Sequence, residues 1–131
     1  MMRPRLAFLA GGRPFRLVTV FLLLLSLPIS QAAAHALVVT STPAPNATVA
    51  GPQLDLRVQF SDRIDKKRSK LSLAGAAGQS LPIQPLEVDG ADTLAGHVAD
   101  LPAGGYRLLW QVLAVDGHIT RGEIPFTVTA P

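Results

Sequence analysis

Apolar residues are distributed along this chain in two regimes. Residues 17–27, "LVTVFLLLLSL", form a run with almost no polar interruption, followed by Pro28 and then by the small-residue stretch Ala32-Ala33-Ala34. Beyond that point the apolar positions alternate with polar ones. In "LDLRVQF" the alternation is strict, with Leu54, Leu56, Val58 and Phe60 on one face, the period of a half-buried strand. Shorter strands are predicted at 37–40, 69–74, 81–88, 93–98, 106–115 and 123–129, with turn signals between them. The stretch "STPAPNATVAGPQ", rich in Pro, Ser, Thr, Gly and Asn, reads as a loop.

Seven short strands in about 100 residues, with almost no helical periodicity, predict an all-β fold, an immunoglobulin-like Greek-key β-sandwich or barrel. "LPAGGY" puts Leu101, a glycine turn and Tyr106 where a tyrosine corner would stand, the hydroxyl bonding back to the backbone at the entry to a strand. Trp110 shares a strand face with Tyr106 and Leu108, which predicts a core-filling role over a ligand-stacking one.

The first regime reads as a secretory signal: an arginine-bearing start, a short apolar run and a small-residue cleavage site, with cleavage expected after Ala34. At 11 residues the run is short of the roughly 20 that span a bilayer. The expected division is therefore a removed segment, 1–34, and one mature domain, 35–131, exported to the periplasm with no lipid anchor. The chain has no cysteine, so no disulfide staples that domain and its stability rests on one core. Cleavage also changes the charge. Four of the twelve Lys and Arg residues (Arg3, Arg5, Arg13 and Arg16) precede the apolar run, leaving eight against all nine acidic residues. A mature chain of one net negative charge is a poor nucleic-acid ligand, because that binding rests on an excess of cations over phosphate.

Cleavage after Ala34 would make His35 the first residue. It then carries two nitrogen donors, the α-amine and the imidazole Nδ1, able to chelate one metal ion, and both lose their protons to metal near neutral pH. The second candidate element is "VDGHITRG", in which Asp116 and His118 stand two residues apart. In extended backbone this spacing projects both side chains to one side. Three nitrogens and one carboxylate oxygen favour Cu(II) in a square-planar or tetragonal site, whereas zinc prefers a tetrahedral one. Taken alone, Asp-Gly is a hairpin-turn signal and a histidine beside it an ordinary solvated residue. The combination with an N-terminal histidine is what points to metal.

The mature start "HALVVTSTPAPNATV", the segment "VQFSDRI" and the block "GYRLLWQVLAVDGHITRGEIPFTV" resemble the CopC family of periplasmic copper-binding proteins. The resemblance implies one Cu(II) held by the amine and imidazole of His35, the imidazole of His118 and the carboxylate of Asp116. It further implies delivery to a CopD-type inner-membrane copper transport protein. Asp62 stands where family members often carry Glu; a place near the metal and a loop-capping role both fit it. Some family members hold Cu(I) in a methionine-rich stretch, but the only methionines here are Met1 and Met2. A Cu(II)-only protein is therefore expected, with His97 a surface strand residue. "DRIDKKRSK", 62–70, reads as a solvated loop. Two other classes fit parts of the pattern. One is a histidine-brace copper monooxygenase, which the in-plane carboxylate and the lack of an evident aromatic platform oppose. The other is a metal-free immunoglobulin-like module.

Overall fold

A computed structural model describes residues 36–130; the expected signal segment and His35 lie outside the described residues. Nine strands follow one another: β1 (Val38–Thr42), β2 (Thr48–Ala50), β3 (Leu54–Phe60), β4 (Lys70–Gly75), β5 (Ser80–Leu81), β6 (Gln84–Leu86), β7 (Thr93–Val98), β8 (Gly104–Leu113) and β9 (Ile119–Thr129). They form two sheets, ordered β1-β3-β7-β6 and β2-β9-β8-β4-β5. All pairings are antiparallel except β2 with β9, where Thr48–Ala50 run parallel to Thr127–Thr129.

The strictly alternating segment behaves as its pattern dictates. Leu56, Val58 and Phe60 of β3 are fully buried and Leu54 packs against the core edge. They face Leu73 of β4, Leu108 and Val112 of β8, and Ile124, Phe126 and Val128 of β9, so the core is the space between the two sheets. Phe60 of one sheet meets Trp110 of the other edge to face at 5.2 Å, and within the second sheet Tyr106 stacks on its cross-strand neighbour Phe126 with centroids 5.7 Å apart. The tyrosine corner forms as expected, the Tyr106 hydroxyl donating to the Pro102 carbonyl at 2.6 Å. Trp110 is half-buried and packs on the core.

Four expectations need correction. The described residues hold nine strands instead of about seven. The predicted strand 81–88 is two short strands in different sheets, because the chain changes sheet at Pro82-Ile83. The predicted loop holds β2, whose hydrogen bonds come from β9 across the fold, a partner that local composition does not reveal. The 62–70 segment is also more than a solvated loop. Ile64 is buried, Lys66 Nζ donates to the Val88 carbonyl at 2.8 Å, and the Ser69 hydroxyl oxygen accepts from the Leu113 N–H at 3.0 Å.

Candidate metal centre

Asp116 and His118 sit in the hairpin that joins β8 to β9. The turn is closed by the Gly117 N–H donating to the Ala114 carbonyl and the Ala114 N–H donating to the His118 carbonyl, both at 2.9 Å. Gly117 has φ of 91°, a region that glycine enters without the steric cost other residues meet. Asp116 holds the turn from inside: its Oδ1 accepts the His118 backbone N–H at 3.0 Å. The two side chains therefore converge because an aspartate-capped turn folds them together, and not because the backbone is extended, as the sequence pattern suggested. His118 Nδ1 stands 3.1 Å from Asp116 Oδ2. Two donors each about 2.0 Å from one ion at a right angle lie about 2.8 Å apart, so this spacing fits neighbouring positions around a single metal. Half of the His118 side chain is open to solvent.

Among the described residues no group of three or more His, Asp or Glu side chains surrounds a common point. For this pair to hold a metal, a third donor would have to come from elsewhere, and the packing just beyond His35 bears on where. Ala36 is completely buried. Leu37 is pinned to Ser61 by two hydrogen bonds, its N–H donating to the Ser61 hydroxyl oxygen at 3.0 Å and its carbonyl accepting from the Ser61 N–H at 2.7 Å. Two residues on, the Arg63 carbonyl accepts from the Val115 N–H at 3.2 Å, and the Asp65 N–H donates to the Leu113 carbonyl at 2.8 Å. Ile64 bridges Ala114. One short loop thus ties the residue pair after His35 to the root of the Asp116–His118 hairpin. Two extended residues reach only about 7 Å, which sets the scale of that separation.

The loop is braced from behind. The Phe60 N–H donates to the Asp92 carbonyl at 2.8 Å and the Ile64 N–H to the Ala91 carbonyl at 2.9 Å. Hydrogen bonds from the Gln59 amide and the Thr93 hydroxyl hold the Asp92 carboxyl below its ordinary pKa by stabilising the charged form. Ser61 and Arg63 carried no sequence signal for this role, since both act through backbone geometry that appears only once β3 and the hairpin are placed.

Of the other singled-out residues, Asp62 lies on the loop between Ser61 and Arg63, and His97 lies in the other sheet. The Asp62 carboxylate accepts a hydrogen bond from the Ser61 hydroxyl at 3.1 Å. His97 is on β7 in the other sheet, opposite Asp55 of β3, with Nδ1 2.7 Å from the Asp55 Oδ1.

The CopC domain model matches residues 38–129, nearly all of the described fold. The chain belongs to the CopC family. Copper resistance protein C of Xanthomonas campestris pv. juglandis is 30% identical over 118 residues, covering 84% of this chain and 92% of that protein. Among solved structures, CopC from Methylosinus trichosporium OB3b aligns with a TM-score of 0.64 at 25% identity, over 73% of this chain and 95% of that one. PcoC of Escherichia coli, described as a methionine-rich copper resistance protein, aligns with a TM-score of 0.62 at 25% identity, over 73% and 100%. The copper transport protein CutJ of Bacillus subtilis is 24% identical over 98 residues, which are 72% of this chain but only 18% of that protein. CopC proteins are copper-binding resistance proteins and not enzymes, so the monooxygenase reading falls away. A role in copper binding follows from membership, as does the immunoglobulin-like sandwich. Among the described residues no helix is long and apolar enough to cross a membrane.

Proposed function

We propose that this CopC protein is exported to the periplasm and holds one Cu(II) ion through the amine and imidazole of His35, the imidazole of His118 and the carboxylate of Asp116. There it buffers copper or carries it to a CopD-type inner-membrane transport protein. The observation that carries the reading is the convergence of His118 Nδ1 and Asp116 Oδ2 at 3.1 Å on a hairpin bonded to the loop that also grips Leu37. Three nitrogens with a carboxylate suit Cu(II), the strongest binder among common divalent ions for such donors. Tight Cu(I) binding is not part of the function. PcoC is methionine-rich by description, whereas this chain has two methionines, both in the segment removed. Soft thioethers are what Cu(I) selects.

The experiment has two steps. Intact mass of the exported protein is expected to correspond to a chain starting at His35. Cu(II) titration against a chromophoric competitor is then run on that form and on one with a single residue added before His35. The extension blocks the amine and is expected to weaken binding by about 100-fold, the upper end of what even an outer-shell partner contributes. Unchanged affinity would remove the amine from the site. A tight second site in a Cu(I) titration would refute the Cu(II)-only reading.

A further inference from the structure

Five large apolar side chains are conspicuously exposed among the described residues: Leu37 (62%), Val39 (58%), Val115 (70%), Ile119 (55%) and Leu86 (40%). Four of the five lie on the two segments that the 61–65 loop links, the one following His35 and the one carrying the Asp116–His118 turn. Val115 and Ile119 directly flank the Asp116–His118 turn. Leu37 is hydrogen-bonded to Ser61, two residues from the Arg63 carbonyl that holds Val115. Val39 is the extra residue of a β-bulge, since Val38 pairs with Phe60 and Thr40 with Gln59. A bulge re-aims a side chain out of the regular alternation. Val39 and Leu37 also line an open groove whose far wall is Trp110, Gly122 and Ile124. Scattered apolar residues on a surface need no explanation, but a cluster around a polar site marks a contact surface.

We propose that this apolar collar, Leu37, Val39, Val115 and Ile119, is the surface on which a copper transport protein docks, so that the metal changes hands inside a water-excluding contact. The inference rests on the carrier reading above and adds the place and the chemistry of the encounter. The occupant follows from two observations. CutJ carries a segment similar to this chain as about one-fifth of a longer copper transport protein, so this kind of domain is used in one polypeptide with the rest of a transporter. The mature chain expected from His35 onward has one net negative charge, so attraction to an anionic lipid surface does not supply the contact. A collar of four side chains is also small for a permanent dimer and suits a transient encounter. A contact that excludes water keeps solvent from competing as a ligand while the ion passes from one site to the other.

The test uses the whole chain in a bacterium that encodes it. A photo-reactive benzophenone amino acid is placed at Val115, at Ile119 or, as a control on the edge strand β6, at Leu86. Cross-linked products are identified by mass spectrometry. Positions 115 and 119 are expected to capture a copper transport protein and position 86 is not. With the probe at Leu37, combining Val115→Ser with Ile119→Ser is expected to lower the yield by about tenfold or more. Equal capture from Leu86, capture of a second copy of this chain or of lipid, or no capture at all would overturn the proposal. Cu(II) titration of the same double variant is expected to match the wild type, because neither substitution alters a donor or the charge. A wild-type chain that fails to bind Cu(II) would instead remove the carrier reading, and the two failures are therefore distinguishable.

Discussion

Gly122 and Trp110 lie side by side on β9 and β8, and a β-carbon at position 122 would overlap the indole ring. The glycine is what lets the tryptophan lie flat against its neighbour strand and reach Phe60. Gly122→Ala is expected to destabilise the domain by about 1–3 kcal/mol, the usual cost of overpacking, measured by urea unfolding. Tyr106→Phe keeps the stack on Phe126 and loses the bond to Pro102. About 1 kcal/mol is expected to go with it by the same assay. Tyr106 was legible in the sequence because its partner lies four residues away and the glycine turn between them is local. The contact of Trp110 with Gly122 was not, because it depends on the register of two strands. Ala36 is a similar case: its burial gives no periodic signal in a single small residue.

At the scale of elements, β3 was fully legible because both its faces follow the period of a pleated strand. The 81–88 segment was misread for a physical reason. Its apolar residues continue to alternate through Pro82 and Ile83, and alternation says which face is buried but not which sheet the strand joins. The β8–β9 hairpin was legible as a turn, whereas the geometry inside it was not. Asp116 has two roles there that a pair of variants separates. Asp116→Asn keeps a carbonyl oxygen to accept the His118 N–H while losing the anionic donor. It is expected to leave the melting temperature of the metal-free protein unchanged and to weaken Cu(II) binding by about 10- to 100-fold. Asp116→Ala removes both functions, and is expected to lower the metal-free melting temperature as well. Equal loss of metal-free stability in both variants would mean that the cap is not what holds the turn.

The whole domain contains no cysteine, so its cohesion comes from one core and from the ligand it holds. Low pH tests a link behind the candidate centre. The carboxyl of Asp92 titrates below its ordinary value, so its contribution is complete above about pH 4, the unfolded value, and is lost as pH falls through the lower folded one. Asp92→Asn is expected to flatten that part of the stability curve in urea titrations between pH 5 and pH 2, about the window of a carboxylate. Cu(II) acts in the other direction. At 100 times its dissociation constant a bound ion adds about 2.7 kcal/mol, which at about 4–8 °C per kcal/mol raises the melting temperature by roughly 10–20 °C for a domain of this size. A much smaller rise is expected in the form extended before His35, and scanning calorimetry of both forms at one copper concentration checks it. The position of the hairpin along the chain has one more consequence. In the proposed site, ligands at residue 35 and at 116 and 118 would let bound copper join the two ends of a loop more than 80 residues long, so the cargo would also be a removable cross-link. On that reading the copper-loaded form is expected to resist proteolysis longer than the empty one, which limited proteolysis with and without Cu(II) checks.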